Sequence, residues 1–158
     1  MNWDQYFLNV CNAVASKSPC LSRNIGAIIV RDHSIISTGY NGPARGYPHC
    51  KGTLTFDGPT SGCVCPRHIK GYKSGEGLLE CPAAHAEANC IANAAKLGVS
   101  VNGATLYLNT FEVPCKDCMT AIVNAGISEV VSKENKPYHQ ISFDIAKFGN
   151  VKLRRFEI

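Results

Sequence analysis

The sequence predicts an α/β fold in which helices flank a five-stranded mixed sheet, giving a three-layer α/β/α sandwich. The nearly continuous apolar and β-branched run from Ile25 to Val30 is typical of a buried strand. A short polar turn, residues 31–33, leads into a second strand over 34–39, and so short a turn predicts antiparallel pairing. After residue 81, strand and helix patterns alternate, which favours parallel strands joined by right-handed crossovers.

The other elements follow from hydrophobic spacing and from glycine. Phe7 and Cys11 belong to an apolar stripe that predicts a first helix over about 4–16. Further helices are predicted over 82–96, from 114 to 124 or 125, and over 140–148, and further strands over 104–109, 127–132 and 151–158. Gly98 and Gly126 are placed to end two of these helices. Residues 47–80 show no clear period, and so long a loop is usually functional or held by something extra.

Composition narrows the class of protein. The 158 residues suit one domain spanning 1–158, with 47–80 as a loop insertion. An apolar fraction of 45% and a charged fraction of 18% are those of a globular protein. No apolar run approaches the roughly 18 residues of a membrane span, and the first residues lack a signal pattern, so a cytoplasmic protein with no membrane partner is expected.

The cysteine content and the net charge indicate which ligands and substrates such a protein would bind. In a reducing compartment, nine cysteines are more typical of metal ligands and buried thiols than of disulfides. The net charge of +4 suits an anionic substrate. The chain has no pronounced basic run, which disfavours long nucleic acid as a partner, because its phosphates need a positive surface.

Two short motifs carry the chemistry. His85-Ala-Glu87 is followed, after 26 intervening residues, by Pro114-Cys115-x-x-Cys118. One histidine and two thiolates would give Zn²⁺ three protein ligands and leave a fourth position open, as in a catalytic zinc site. Taken alone, the Cys-x-x-Cys pair could be a redox pair or half of a structural zinc site, and His85 an ordinary helical histidine. The joint spacing is that of the zinc-dependent nucleoside and nucleotide deaminases.

Helix geometry assigns the roles within these motifs. A helix beginning at Pro82 would place His85 about one turn in and turn Glu87 away from it, so that Glu87 is expected to carry protons and not to bind the metal. Cys115 and Cys118 would share one face at a helix start, where the helix dipole favours thiolate over thiol.

With these motifs placed, the chain resembles the cytidine deaminase-like superfamily and, within it, the deoxycytidylate (dCMP) deaminases, including the bacterial competence-operon protein of that type. The resemblance covers nearly the whole chain. It rests on residues 3–7 (Trp-Asp-Gln-Tyr-Phe), 17–20 (Lys-Ser-Pro-Cys), 25–29 (Ile-Gly-Ala-Ile-Ile), 37–42 (Ser-Thr-Gly-Tyr-Asn-Gly), 85–89 (His-Ala-Glu-Ala-Asn) and 124–131 (Asn-Ala-Gly-Ile-Ser-Glu-Val-Val).

The resemblance implies a cytidine deaminase-like fold and a hydrolase that converts dCMP to dUMP and ammonia. Zinc would activate water, and Glu87 would pass a proton to N3 of the pyrimidine and then to the departing ammonia. Asn41 would bind the sugar hydroxyl, Ala86 would line the substrate site, and Arg23 and Asn24 would lie near the 5′-phosphate. Arg23 could equally be a solvated surface charge. A homo-oligomer built from dimers, up to a hexamer, is also implied.

A second, structural zinc is the other implication of the resemblance. Some relatives bind it through the cysteines that match Cys20 and Cys50. The further candidates for its ligands are Cys63, Cys65, His68 and Cys81. Such an ion would explain how residues 47–80 are held. Cys81 could instead be a packing residue at a helix entry.

Two departures from the family pattern keep the substrate open. Relatives usually run Tyr-x-Thr-x-x-Pro-Cys into the second motif, whereas the stretch from Tyr107 to Cys115 carries two more residues, in a loop that walls the base pocket. Residues 132–137 lack an aromatic that many relatives have. The alternatives are a modified cytosine nucleotide, a tRNA base or a riboflavin-pathway intermediate as substrate, or a non-catalytic zinc-stabilised binding protein. Glu87 argues against a binding protein, because a structural zinc site does not need a proton carrier.

Overall fold

The computed structural model describes residues 1–50 and 64–158. Its strands are β1 (Gly26–Arg31), β2 (Ser34–Tyr40), β3 (Gly42–Pro43), β4 (Ala83–Ala84), β5 (Thr105–Leu108), β6 (Glu129–Ser132) and β7 (Lys152–Arg155). Its helices are α1 (Trp3–Ala15), α2 (Pro66–Ile69), α3 (Ala86–Lys96), α4 (Lys116–Asn124) and α5 (Ile141–Phe148). A single 3₁₀ turn, Leu78–Glu80, precedes β4.

The main sheet has five strands in the order β2-β1-β5-β6-β7. β1 pairs antiparallel with both β2 and β5, whereas β6 pairs parallel with β5 and with β7. The turn between β1 and β2 consists of Asp32 and His33, both with positive φ, as in the tight turns that match strand twist. The predicted mixed sheet of five strands is therefore confirmed.

Two apolar cores lie on opposite faces of this sheet. Strand alternation sends Ile28 to one face and Ile29 to the other, and both are fully buried. On one face α1 packs through Phe7 and Cys11. The other face is covered by α3, α4 and α5, and its core includes Ala86, Cys90, Ala94, Met119, Ile122 and Ala146. This is the predicted α/β/α sandwich.

Helix α3 lies unusually close to strand β2 because Gly39 has no side chain. A Cβ atom at this position would lie 2.4 Å from the backbone nitrogen of Cys90 and 2.7 Å from the carbonyl oxygen of Ala86. Ser37 adds a buried hydrogen bond from its hydroxyl to the carbonyl of Cys90, at 2.7 Å. These contacts fix the first turns of α3 against the sheet, and with them the residues of the first motif.

The prediction that a helix begins at Pro82 is wrong. The chain stays extended through Ala83 and Ala84, which pair antiparallel with Pro43 and Gly42, and α3 begins at Ala86. The high helix propensity of this stretch is overridden by hydrogen bonding to a distant segment. His85, with extended φ and ψ of −70° and 155°, is therefore the N-cap of α3 and does not lie one turn into it.

The long segment predicted to lack regular structure contains some in its described part, since α2 and the 3₁₀ turn lie within 64–80. The single-domain organisation over 1–158, with an insertion at 47–80, stays a prediction. No helix among the described residues is both long enough and apolar enough to cross a membrane.

Candidate active site

The two sequence motifs meet where α3 and α4 begin. Nδ1 of His85 lies 3.4 Å from Sγ of Cys115 and 3.4 Å from Sγ of Cys118. His85 is the N-cap of α3, and Cys115 is the N-cap of α4, so both helix N-termini point at the same place. Within residues 1–50 and 64–158, this is the one group of three or more possible ligands whose atoms all lie within 4.8 Å of one another.

The geometry of this group fits a zinc ion. Zinc binds a thiolate at about 2.3 Å and an imidazole at about 2.0–2.1 Å in a tetrahedron, which places sulfur and nitrogen ligands about 3.5 Å apart. The observed separations of 3.4 Å agree with this value. Three protein ligands leave the fourth position of the tetrahedron for water or substrate.

The two cysteines differ in their readiness to ionise. A hydrogen bond from the Cys118 thiol, joined by one from His85, lowers the pKa of Cys115 to about 4. The same Cys115–Cys118 hydrogen bond, together with burial, raises the pKa of the Cys118 thiol. The backbone N–H of Cys118 also points at Sγ of Cys115, at 3.5 Å. One thiolate is therefore favoured before any metal binds, and a cation would draw the proton from the second.

Glu87 is buried beside the ligand group without belonging to it. Only 7% of its surface is exposed, and it lies in the first turn of α3, two residues after His85. Burial raises the pKa of its carboxyl group, while the positive charge of His85 acts in the opposite direction. A carboxyl group whose pKa is raised by burial is suited to exchanging protons with a neighbouring substrate or water.

Comparison with known proteins decides the family. A family model described as the cytidine and deoxycytidylate deaminase zinc-binding region matches residues 1–134. The chain belongs to this family. The resemblance that the sequence motifs predicted is thereby confirmed.

Relatives of this chain include a fungal enzyme and a bacterial protein. The deoxycytidylate deaminase of Saccharomyces cerevisiae is 37% identical over 155 residues, which are 98% of this chain and 45% of that protein. ComE operon protein 2 of Bacillus subtilis is 31% identical over 160 residues, which are 100% of this chain and 73% of that protein. The chain thus spans slightly less than half of the yeast relative.

Solved structures share the fold. The dCMP deaminase from the cyanophage S-TIM5, solved in complex with dCMP and dUMP, superposes with a TM-score of 0.69 at 23% identity, over 96% of this chain and 94% of that chain. The cytidine deaminase-like fold expected from the sequence is therefore confirmed.

In this deaminase-family chain, the predicted substrate residue Asn41 is 8% exposed and supports a neighbouring turn. Its Oδ1 accepts the backbone N–H of Ile25 at 2.8 Å, and its Nδ2 donates to the carbonyl of Arg23 at 2.8 Å. Each polar atom of the amide keeps capacity for one more hydrogen bond. Asn24 is exposed on the same turn, and Ala86 is fully buried at the first position of α3.

The guanidinium of Arg23 binds Glu112, a residue that the sequence did not single out. Its Nη2 lies 2.9 Å from Oε2 of Glu112, and the two residues are 89 positions apart. Glu112 lies in the loop between Tyr107 and Cys115, and nothing in the local sequence indicates its partner.

A second residue that sequence reasoning missed is His139. Its Nδ1 accepts the backbone N–H of Lys116 at 3.1 Å, next to Cys115, a candidate zinc ligand. Because this N–H belongs to the first turn of α4, it has no partner inside the helix. His139 therefore caps the helix that carries two of the three ligands, over a separation of 23 positions.

Four further cysteines are grouped away from the active site. The Cys50 side chain is hydrogen-bonded to that of Cys65, and Cys20 and Cys81 are close enough to act on it electrostatically. Burial and these neighbouring sulfurs raise the pKa of Cys50 to about 12. His68 is exposed on α2, and Cys63 lies outside the described residues. The structure thus brings together four of the six residues predicted for a second zinc.

Proposed function

We propose that this protein is a zinc-dependent hydrolase that converts dCMP and water to dUMP and ammonia. The observation that carries this proposal is the buried carboxyl of Glu87 beside the His85, Cys115 and Cys118 group. A metal held by three ligands next to a proton carrier is an arrangement for activating water. The relatives named deoxycytidylate deaminase, and the related structure solved with dCMP and dUMP, support the choice of substrate.

Each group of the site has a distinct part in this reaction. Zinc at the three ligands would supply a water molecule whose pKa is lowered towards about 7. Glu87 accepts a proton from the attacking water and delivers it to N3 of the pyrimidine. Glu87 then takes the second proton from the hydroxyl newly bound at C4 and delivers it to the amino group, so that the C4=O bond forms as the C4–N4 bond breaks and ammonia leaves. The backbone N–H of Cys115 would steady charge that develops at the reacting carbon.

The turn from Arg23 to Ile25 is the proposed site for the sugar and phosphate. Asn41 would use its remaining hydrogen-bonding capacity on the sugar hydroxyl, while Ala86 lines the pocket at the start of α3. Arg23 and Asn24 would face the 5′-phosphate. The support is that the positive charge of Arg23 acts on Glu87 in favour of the ionised carboxylate.

We further propose a structural zinc held by Cys20, Cys50, Cys65 and Cys81. A Cys₄ set suits zinc in structural sites, and it would tie the segment after Cys50 to the body of the fold. Among the described residues, no trio of these sulfurs lies within 4.8 Å, so zinc binding would draw them together. Cys63 remains a candidate ligand, whereas His68 is exposed on α2.

A dimer-based homo-oligomer and a cytoplasmic location stay predictions, as does the absence of a long nucleic-acid partner. Sedimentation at micromolar protein concentration would test the first: a monomer would contradict it.

The function is tested by measuring ammonia release from a panel of substrates. The panel comprises dCMP, CMP, deoxycytidine, 5-methyl- and 5-hydroxymethyl-dCMP, and a tRNA anticodon stem-loop. We expect dCMP to have the highest kcat/KM. A charge-assisted hydrogen bond to phosphate contributes roughly 1.5–3 kcal/mol, so two of them favour dCMP over deoxycytidine by roughly two to four powers of ten.

The controls separate chemistry from specificity. A Cys115→Ser variant, lacking one zinc ligand, should release no ammonia from any substrate. Equal rates for deoxycytidine and dCMP would contradict the monophosphate assignment and leave the deaminase chemistry standing. Preference for a modified base would indicate that the loop of residues 110–113 sets the base specificity.

A further inference from the structure

Two loops meet beside the active site through a single ion pair. The Arg23 guanidinium, 47% exposed, and the Glu112 carboxylate, 29% exposed, lie 2.9 Å apart. Surface ion pairs of this kind contribute little to stability, typically about 0–1 kcal/mol. The pair therefore needs another explanation than holding the fold together.

Both ends of the pair have a fixed backbone. On one side, the buried Asn41 amide binds the backbone on either side of Asn24, so the turn that carries Arg23 is clamped. On the other side, the hydroxyl of Thr110 donates to the carbonyl of Glu112 at 2.8 Å.

The loop around Glu112 is also tied to a second segment. The N–H of Val113 donates to the carbonyl of Lys136 at 2.9 Å, and the N–H of Lys136 donates to the carbonyl of Phe111 at 2.9 Å. The Glu112 carboxylate is thus presented from a rigid position, three residues before the zinc ligand Cys115.

The guanidinium of Arg23 is held by Glu112 but does not use all of its hydrogen-bond donors. Arginine has five N–H donors, and within the part of the chain that the structure describes only Nη2 of Arg23 has a partner. The ammonium groups of Lys133 and Lys136 lie 5.0 and 5.5 Å from the ring centre of Phe111, which adds positive charge next to Glu112. The result is a cation of fixed orientation that keeps N–H donors for an oxyanion.

We propose that Glu112 is a positioning residue that holds the Arg23 guanidinium in place for the 5′-phosphate of the nucleotide. This inference rests on the proposed function, because it needs a phosphorylated substrate. An unheld arginine would lose side-chain freedom each time it bound phosphate, whereas the ion pair restricts that freedom beforehand. Glu112 thus acts on substrate binding through Arg23, and the zinc chemistry does not depend on it.

The test is a mutant cycle with two substrates. Glu112→Ala should raise KM for dCMP about three- to tenfold with kcat nearly unchanged. The reason is that substrate binding would then have to order the Arg23 side chain. The slow reaction of deoxycytidine should not change. Glu112→Gln keeps a carbonyl that can accept from Arg23 and should retain most of the affinity. Glu112→Asp, whose carboxylate is one methylene shorter, should resemble Glu112→Ala.

The double variant and a matched control make the test specific. In an Arg23→Ala background, Glu112→Ala should have no further effect on KM for dCMP, because Glu112 acts only through Arg23. Glu134→Ala removes a carboxylate that pairs with Lys136 at 2.7 Å in the adjacent segment, and it should leave KM unchanged.

Three outcomes would overturn the inference. A fall in KM in Glu112→Ala would mean that Glu112 competes with phosphate for Arg23. An equal loss for dCMP and deoxycytidine would indicate a general disturbance of the site. A further effect in the Arg23→Ala background would show that Glu112 acts on another group. A wild-type protein with no preference for dCMP over deoxycytidine would overturn the monophosphate assignment together with the inference, whereas a protein that released no ammonia from any substrate would overturn the deaminase function itself, so the failures are distinguishable.

Discussion

Cys115 places its Sγ 3.4 Å from Nδ1 of His85, across 30 positions of the chain. Each is the N-cap of its helix, so the two ligands meet where two helices begin. Helix N-termini carry partial positive charge and free N–H groups, which favours thiolate at Cys115 and negative charge nearby. The group is therefore built from two helix starts. The sequence predicts a helix start for Cys115 and Cys118, but it predicts a position about one turn into the helix for His85.

The role of Glu87 leads to the first prediction. Glu87→Gln removes the proposed proton carrier but none of the three proposed metal ligands, so the variant should keep catalytic zinc. Its kcat should fall by at least about 10²- to 10⁴-fold, the usual contribution of general acid–base catalysis. Elemental analysis of the purified variant, alongside ammonia release from dCMP, measures both quantities.

The control is Cys118→Ser, which should lose both the catalytic zinc and turnover. Loss of catalytic zinc in a folded Glu87→Gln variant would mean that Glu87 is needed to hold the metal, and the proposed division of roles would then be wrong.

The group of four cysteines leads to the second prediction. Wild-type protein should contain about two zinc ions per chain, and Cys50→Ser should contain about one, because a structural site needs its full ligand set. The variant should also unfold at lower temperature, since metal binding contributes to folding. Zinc content and thermal unfolding are the measurements.

A matched control is available within the core. Cys11→Ser also changes a fully buried thiol, which donates to the carbonyl of Tyr107 at 3.5 Å. It should lower stability and leave zinc content unchanged. A stoichiometry of one zinc in fresh wild-type protein would exclude the second site.

The grouping of His85, Cys115 and Cys118 could be predicted because each motif is local and carries its own chemistry. His85 and Glu87 are two positions apart, and Cys115 and Cys118 three, so spacing alone shows that each pair can act at one place. The sheet could be predicted for a similar reason, since the apolar run of β1 and the later alternation of strands and helices are visible along the chain.

What could not be predicted depends on contacts between distant segments. The late start of α3 follows from pairing of Ala83 and Ala84 with the β3 strand, about 40 positions earlier, which local helix propensity cannot register. Likewise, the partners of Arg23 and Lys116 lie 89 and 23 positions away. Such contacts become visible only when the fold brings the loops together.

The close approach of α3 to β2 leads to the third prediction. Gly39→Ala would place a methyl group 2.4 Å from the backbone nitrogen of Cys90, so α3 must shift. Overpacking of this kind costs about 1–3 kcal/mol of stability, and the shift also moves Glu87 on the same helix. We expect a lower midpoint of urea unfolding and a reduced kcat.

The neighbouring Thr38 provides the control, because it is exposed on the same strand. Thr38→Ala should change stability by less than about 0.5 kcal/mol and leave kcat unchanged. A Gly39→Ala variant with wild-type stability would show that α3 can move without cost.

The last prediction concerns Asp4, which joins the start of the chain to its last strand. Its Oδ1 accepts from Nη2 of Arg154 at 3.1 Å, and its Oδ2 accepts from Nη1 of Arg154 and, at 2.8 Å, from the backbone N–H of Glu157. Burial opposes ionisation of Asp4, but these hydrogen bonds outweigh it and hold the pKa of its carboxyl below the usual value.

Because the folded-state pKa is the lower one, the unfolded chain binds more protons in acid. The ionised Asp4 therefore contributes its full stability above about pH 4, the pKa of an unfolded aspartate, and loses it as pH falls through the folded-state pKa. Asp4→Asn should cost about 1–3 kcal/mol at pH 7, because the charge-assisted bonds are lost. Urea unfolding of both proteins between pH 7 and pH 3 should show this difference shrinking only below about pH 4.

The exposed Asp144, changed to Asn, should show a difference below about 0.5 kcal/mol throughout. A difference between Asp4→Asn and wild type that stays constant down to pH 3 would mean that the ionised carboxylate is not what stabilises this junction.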